Sequence, residues 1–110
     1  MTNQKTLDNK LRLLVHSIDQ SQSYTALVLV GAGSRYETLD VNGISHFLEH
    51  MFFKGAKKYK NTKEVSEAID TIGGEFNAFT GKEYAGYYVK VAKEHAEKAL
   101  DVLSDMLLHA

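Results

Sequence analysis

The chain has 110 residues, of which 44% are hydrophobic and 25% are charged, and its net charge is −1. This length and balance are typical of one small globular domain. The charge excludes the basic excess expected of a protein that binds nucleic acid or an anionic membrane. Cysteine is absent, which excludes disulfides and thiolate metal sites. No apolar run reaches the ~20 residues of a membrane span, and residues 1–10 lack a secretion or transit signal, so a cytosolic protein is favoured.

Two apolar stretches near the start predict strands. Residues 11–18 are apolar with polar interruptions, and residues 24–30 are nearly continuously apolar. A continuous run of this kind is typical of a strand that is covered on both faces. Gly31 and Gly33 end the second strand.

Residues 43–53 carry the spacing of an amphipathic helix, with Asn42 as a candidate N-cap. We expect its apolar stripe to face the core and to hold the helix rigidly. The stripe consists of Ile44, Phe47, Leu48, Met51 and Phe52.

A second helix is predicted from Asn61 or Thr62 to about Ile72. Glu64 follows Asn61 by three positions, close to a capping-box pattern, and Gly73 ends the helix. Its apolar stripe consists of Val65, Ala68, Ile69 and Ile72.

The rest of the chain predicts a hairpin and a helix. Residues 75–80 and 84–91 are strands joined by the short link 81–83, and a helix runs from about residue 93 to the end. The predicted fold class is therefore α+β, an antiparallel sheet with helices packed on one face. Because the apolar helical pattern continues to Ala110, we expect residues 1–110 to be part of a larger domain.

One motif carries chemistry, His46-Phe47-Leu48-Glu49-His50. At 100° per residue, the two histidines project from one side of a helix, one turn apart. Both imidazoles can then reach one metal ion at about 2.0–2.1 Å. Glu49 lies close enough to touch a metal-bound water without being a ligand, as a general base requires. The alternative is a surface helix with a chance histidine pair, and the spacing alone leaves the two interpretations at about even odds.

The wider sequence resembles the pitrilysin/insulinase family of inverted-motif zinc metallopeptidases, whose signature is H-x-x-E-H. It is most similar to the mitochondrial processing peptidase and its bacterial relatives. The resemblance is carried, in order, by residues 31–37, 42–55, 73–80 and 87–88, which read GAGSRYE, NGISHFLEHMFFKG, GGEFNAFT and YY.

This resemblance implies a zinc endopeptidase that acts on extended or unfolded peptides. His46 and His50 would bind one zinc ion, and Glu49 would be the general base. The strand Phe76–Thr80 would pair with substrate through Asn77, Ala78 and Phe79. The alternative for that strand is an ordinary hairpin strand, since edge position cannot be read from a sequence.

The resemblance also implies a third zinc ligand, a glutamate on a later helix that would lie beyond Ala110. We therefore expect residues 1–110 to be the N-terminal part of a metallopeptidase domain, with little or no activity alone. A non-catalytic substrate-binding or assembly subunit of the same fold is the alternative function, and a truncated chain that self-associates is a third. Expected partners are a peptide substrate and a homo- or hetero-oligomer. Bacterial cytoplasm is the expected location, ahead of the mitochondrial matrix.

Overall fold

Residues 2–110 are described by a computed structural model, and within them the chain forms five strands and three α-helices. None of these helices is long and apolar enough to cross a membrane. The elements are β1 Thr2–Thr6, β2 Arg12–His16, β3 Ser23–Val30, α1 Ile44–Phe52, α2 Thr62–Asp70, β4 Glu75–Thr80, β5 Ala85–Ala92 and α3 Ala96–Leu108.

The main sheet has three antiparallel strands in the order β3-β5-β4. Tyr87 of the central strand lies opposite Val28 on one side and Ala78 on the other. The side chains of Ala26, Val89 and their neighbours on one face are buried beneath the helices. The predicted α+β class, with an antiparallel sheet and helices on one face, is confirmed.

The core lies between this sheet face and helices α2 and α3. Burying a side chain of valine, isoleucine or methionine stabilises the fold by about 1.5–3 kcal/mol, and both helices contribute several such residues. The largest side chains that are almost fully buried are Ile69, Met106, Val65, Val89 and Val102. The stripe of α2 therefore packs as predicted through Val65 and Ile69.

The opposite sheet face is open. Leu27 and Leu29 of β3 are 51% and 59% exposed, so the prediction that this strand is covered on both faces is wrong. The reason is that the helices described for residues 2–110 pack on the other face of the sheet.

A separate hairpin precedes the main sheet. β1 pairs antiparallel with β2, from Thr2 opposite His16 to Thr6 opposite Arg12. A strand was predicted over residues 11–18, but β1 was not predicted. All five side chains of Thr2–Thr6 are polar, so no apolar pattern indicated a strand there. Both strands are exposed along their length.

Helix α1 packs against β4 but does not bury its apolar stripe as predicted. Phe47 is 61% exposed, and Ile44, Leu48 and Met51 are each more than 40% exposed. Only Phe52 of the stripe joins the core, where its ring meets Tyr87 edge to face at 5.3 Å. The prediction of a buried stripe is therefore wrong for these four residues, because no element within residues 2–110 covers them.

The predicted N-cap is confirmed for helix α2 and is wrong for helix α1. Asn61 caps α2, since its Oδ1 accepts the N–H of Glu64 at 2.9 Å, as predicted. Asn42 does not cap α1. The N-cap is Gly43, whose φ of 89° suits glycine, and its position makes no side-chain cap bond.

Two aspartates of α3 fasten the loop that precedes α2. Asp101 accepts hydrogen bonds from Lys58 Nζ at 2.8 Å and from the Tyr59 hydroxyl at 2.7 Å. Asp105 accepts the backbone N–H groups of Lys58 and Tyr59 at 2.8 and 3.1 Å. The bonds from Lys58 and then Tyr59 hold the pKa of Asp101 below its ordinary value of 3.8.

This loop attachment is expected to fail in acid. A carboxyl group whose pKa is lowered by folding stabilises the fold above its unfolded pKa, and this contribution is lost as the pH falls through the folded pKa. Wild type should therefore be more stable than Asp101→Asn at about pH 6, and the gap should shrink below about pH 4. Urea unfolding of both chains, followed by circular dichroism across this range, measures the gap. A gap that stays constant with pH would contradict the assignment.

Candidate active site

Helix α1 brings the two motif histidines together. The Nε2 atoms of His46 and His50 are 3.0 Å apart, and the ring centroids are 4.7 Å apart. Two nitrogens bound to one tetrahedral zinc ion at 2.0–2.1 Å would be about 3.3 Å apart. The pair therefore fits a single zinc ion after a shift of a few tenths of an ångström. Both side chains are exposed, so an ion can reach them from solvent.

The Glu49 side chain extends from α1 toward the end of strand β4. Its Oε2 accepts a hydrogen bond from the Thr80 hydroxyl at the end of β4. Its charge also contributes, after the larger effect of burial, to raising the pKa of Tyr87 in the central strand. The Glu49 carboxylate is thus half-buried between a helix and a sheet edge, next to the histidine pair in sequence and oriented by a neighbouring hydroxyl.

Among the strands described for residues 2–110, β4 pairs with one partner only. It pairs with β5 and forms an edge of the main sheet, so its other side offers backbone groups. The sequence could not show whether this strand lies at a sheet edge, and within the described residues it does. The N–H of Ala78 bonds to the side-chain Oδ1 of Asn77 at 2.8 Å, so an incoming strand would compete with Asn77 for that donor.

The three residues predicted to bind peptide do not share one face. Ala78 lies on the helix side of the sheet with Thr80, whereas Asn77 and Phe79 lie on the open side. The Phe79 ring lies across Gly86, where an added Cβ would approach Phe79 Cζ to 2.2 Å. On the helix side, Thr80 contacts the Glu49 carboxylate and Ala78 packs against the core. The open side of β4 presents the amide of Asn77 and the ring of Phe79.

A cleft of about 510 Å³ runs along this junction. It is open to solvent and joins the start of α1 to the end of β4. Its lining residues are Ser34, Glu37, Asn42, Gly43, His46, Glu49, Phe79, Thr80, Gly81 and Lys82.

Two residues of this site were not predicted from the sequence. Thr80 was named only as the end of the strand expected to pair with substrate, and Glu37 only within the stretch 31–37 that carries the family resemblance. The Glu37 carboxylate accepts the backbone N–H of Gly43 at 2.7 Å and of Ser45 at 2.9 Å. Neither contact follows from residue spacing, because each joins separate elements of the fold.

A complete metal site is not assembled within residues 2–110. No group of three or more histidine, cysteine, aspartate or glutamate side chains in this range is placed to hold a metal ion. The two histidines fit zinc as a pair, and Glu49 does not complete a three-ligand set.

Comparison with known proteins identifies the family. A sequence profile of the insulinase family, peptidase family M16, matches residues 12–110. The chain belongs to this peptidase family. It is 50% identical over 110 residues to the uncharacterized zinc protease YmxG of Bacillus subtilis, covering 100% of the chain and 27% of that protein.

Two further similar proteins extend the match. A probable mitochondrial-processing peptidase subunit beta of Arabidopsis thaliana is 43% identical over 102 residues, 93% of the chain and 19% of that protein. The crystal structure of a protease from Helicobacter pylori superposes with a TM-score of 0.90 at 28% identity, covering 96% of the chain and 26% of that structure. The chain therefore spans about a quarter of the length of these proteins, and the predicted family resemblance is confirmed.

Proposed function

We propose that the chain carries the zinc-binding pair and the general base of a zinc-dependent endopeptidase. The observation that carries this proposal is the 3.0 Å approach of His46 Nε2 to His50 Nε2, on the helix that also presents Glu49. The names of its M16 relatives as zinc proteases support the choice of metal. One zinc ion is proposed, with both histidines as ligands.

Zinc, when bound, would polarise a carbonyl group and lower the pKa of a bound water molecule toward about 7. The residues of the chain then have separate tasks. His46 and His50 would hold the ion through their imidazole nitrogens. Glu49 takes a proton from the attacking water and later gives it to the leaving nitrogen of the peptide. The Thr80 hydroxyl fixes the orientation of Glu49.

The substrate is proposed to be an extended or unfolded peptide that adds to the free edge of β4. Backbone hydrogen bonds at a sheet edge give affinity with little demand on sequence. Ala78 would present its N–H once the Asn77 side chain releases it, and Phe79 would line the open face. A peptide bound at this edge would lie beside Glu49, since Thr80 of the same strand contacts that carboxylate.

Residues 1–110 are proposed to have little or no peptidase activity by themselves. Two histidines bind zinc weakly, with water completing the shell, and a third protein ligand is needed for a typical catalytic site. We propose that this ligand is a glutamate from a later helix. Bacterial cytoplasm is the proposed location, since the relative with 50% identity is bacterial.

The second candidate function is a substrate-binding or assembly subunit without catalysis. It is favoured by the exposed apolar stripe on α1, which resembles an interaction surface, and by a relative named as a subunit. The enzyme is preferred because His46, Glu49 and His50 are all present, and a purely structural subunit has no need of them.

Zinc titration of the chain tests the proposal. Wild type and Glu49→Gln should bind one zinc ion with affinities within about threefold, whereas His50→Ala should lose about 100-fold or more, since it removes one of two protein ligands. His16→Ala is the matched control, because His16 is an exposed histidine on the β1–β2 hairpin. Calorimetry and metal analysis measure binding. Equal binding by the His50→Ala and His16→Ala chains would refute a histidine-pair site.

A further inference from the structure

The start of α1 lacks an N-cap side chain of its own. The first N–H groups of a helix have no partner within the helix, and Gly43 at the N-cap provides none. Glu37, six residues earlier, fills this role by accepting the N–H groups of Gly43 and Ser45 with its two carboxylate oxygens. Ser45 is the only buried residue of α1, and His46 follows it directly.

The charge of Glu37 also suits this position. A carboxylate is favourable at the positive end of a helix. Hydrogen bonds from the Ser45 side chain, then from the N–H groups of Ser45 and Gly43, lower the pKa of Glu37. The group is therefore a carboxylate at neutral pH.

The segment that carries Glu37 is fastened at its other end to the β4–β5 link. Arg35 N–H donates to the carbonyl of Lys82 at 2.8 Å, and the Arg35 guanidinium pairs with Glu83. The backbones touch at Gly33, where an added Cβ would lie 2.5 Å from the Lys82 carbonyl oxygen. This link begins directly after Thr80, the residue that contacts Glu49.

We infer that Glu37 is a positioning residue, which joins the start of the zinc-binding helix to the β4–β5 link and so sets His46 and Glu49 against the edge of β4. The residues 33–37 form a strap with one end on the link and the other on α1. Movement of the strap would move the histidines relative to the peptide-binding strand. This inference rests on the proposed zinc function, but the contact that it describes can be tested without zinc.

The test compares Glu37→Gln with Asp105→Asn in the 110-residue chain. Glutamine keeps the size of the side chain but sets an NH₂ group against one of the two backbone donors. Asp105 is the matched control, because it also binds two backbone N–H groups of a loop but lies on α3, away from the histidines. Urea unfolding shows how far each variant loses global stability.

Two readouts separate positioning from general destabilisation. In the zinc-free chain, amide exchange at Gly43 or Ser45 should speed up about tenfold in Glu37→Gln and stay unchanged in Asp105→Asn. Zinc affinity should fall about tenfold in Glu37→Gln, as it does when supporting contacts of metal ligands are removed. In Asp105→Asn it should stay at the wild-type value.

The outcomes distinguish this inference from the proposed function. Unchanged exchange at both amides, or equal zinc affinity in wild type and Glu37→Gln, would overturn the positioning role. Loss of zinc affinity in both variants to the same degree would also overturn it, since the effect would then be one of stability. Absence of zinc binding in wild type would refute the proposed function, and the exchange rates would still decide whether Glu37 holds α1.

Discussion

Glu49→Gln is expected to slow peptide hydrolysis by about 10²–10⁴-fold, the usual contribution of a general base. The proposed third zinc ligand lies outside residues 1–110, so the measurement uses a chimera. In it, this chain replaces the matching 110 residues of the Bacillus subtilis zinc protease, with which it is 50% identical. Cleavage of an unfolded protein is followed after the unsubstituted chimera has been shown to be active.

Two comparisons make this result specific to the base. Zinc content should be the same in both chimeras, because glutamine at position 49 removes no ligand. Glutamine also keeps an oxygen that can accept the Thr80 hydroxyl, so the local fold is retained. Glu97→Gln, an exposed glutamate on α3, should leave the rate unchanged. Full activity in Glu49→Gln would exclude this carboxylate as the base.

Ile69→Ala is expected to be the most destabilising of the simple core substitutions. Ile69 is fully buried, at 0% exposure, between α2 and the sheet. Removing such a side chain costs about 2–5 kcal/mol, through lost apolar burial and the cavity left behind. A domain of this size has a net stability of about 5–15 kcal/mol, so the variant should lose a large share of its free energy of unfolding. Thermal unfolding by circular dichroism measures the loss.

Ile18→Ala is the matched control, the same change at a side chain that is 66% exposed. It should change the free energy of unfolding by no more than about 0.5 kcal/mol. If both isoleucine variants lost the same stability, the core would not be organised around α2 as described.

The sequence was informative about the candidate site wherever its residues lie on one element. His46, Glu49 and His50 share one helix, so a period of 3.6 residues places the histidines side by side, and the structure does the same. Glu37 and Thr80 could not be found this way. Each acts on α1 from another part of the fold, and a hydrogen bond between distant segments has no periodic signature.

The same distinction applies to the fold. The Asn61 cap and the α2 stripe are local patterns, and they were predicted. The prediction that α1 buries its apolar stripe was wrong, because such a stripe indicates that a surface prefers to be covered but not which element covers it. Strand β1 was missed for the opposite reason. Backbone pairing with β2 holds β1 as a strand, and its polar side chains form no apolar pattern in the sequence.

The position of β5 in the sheet also determines when the sheet can form. Strands β3 and β4 do not pair with each other, because β5 lies between them and pairs with both. The register joins Val30 to Ala85 and Ser23 to Ala92, contacts of long sequence separation that form slowly. During synthesis from the N-terminus, the histidine helix is therefore made before the strand that completes the sheet beneath it. Until residues 85–92 have been added, β4 lacks the strand that pairs with it, so the contact of Thr80 with Glu49 gains the support of the sheet only after β5 has been made.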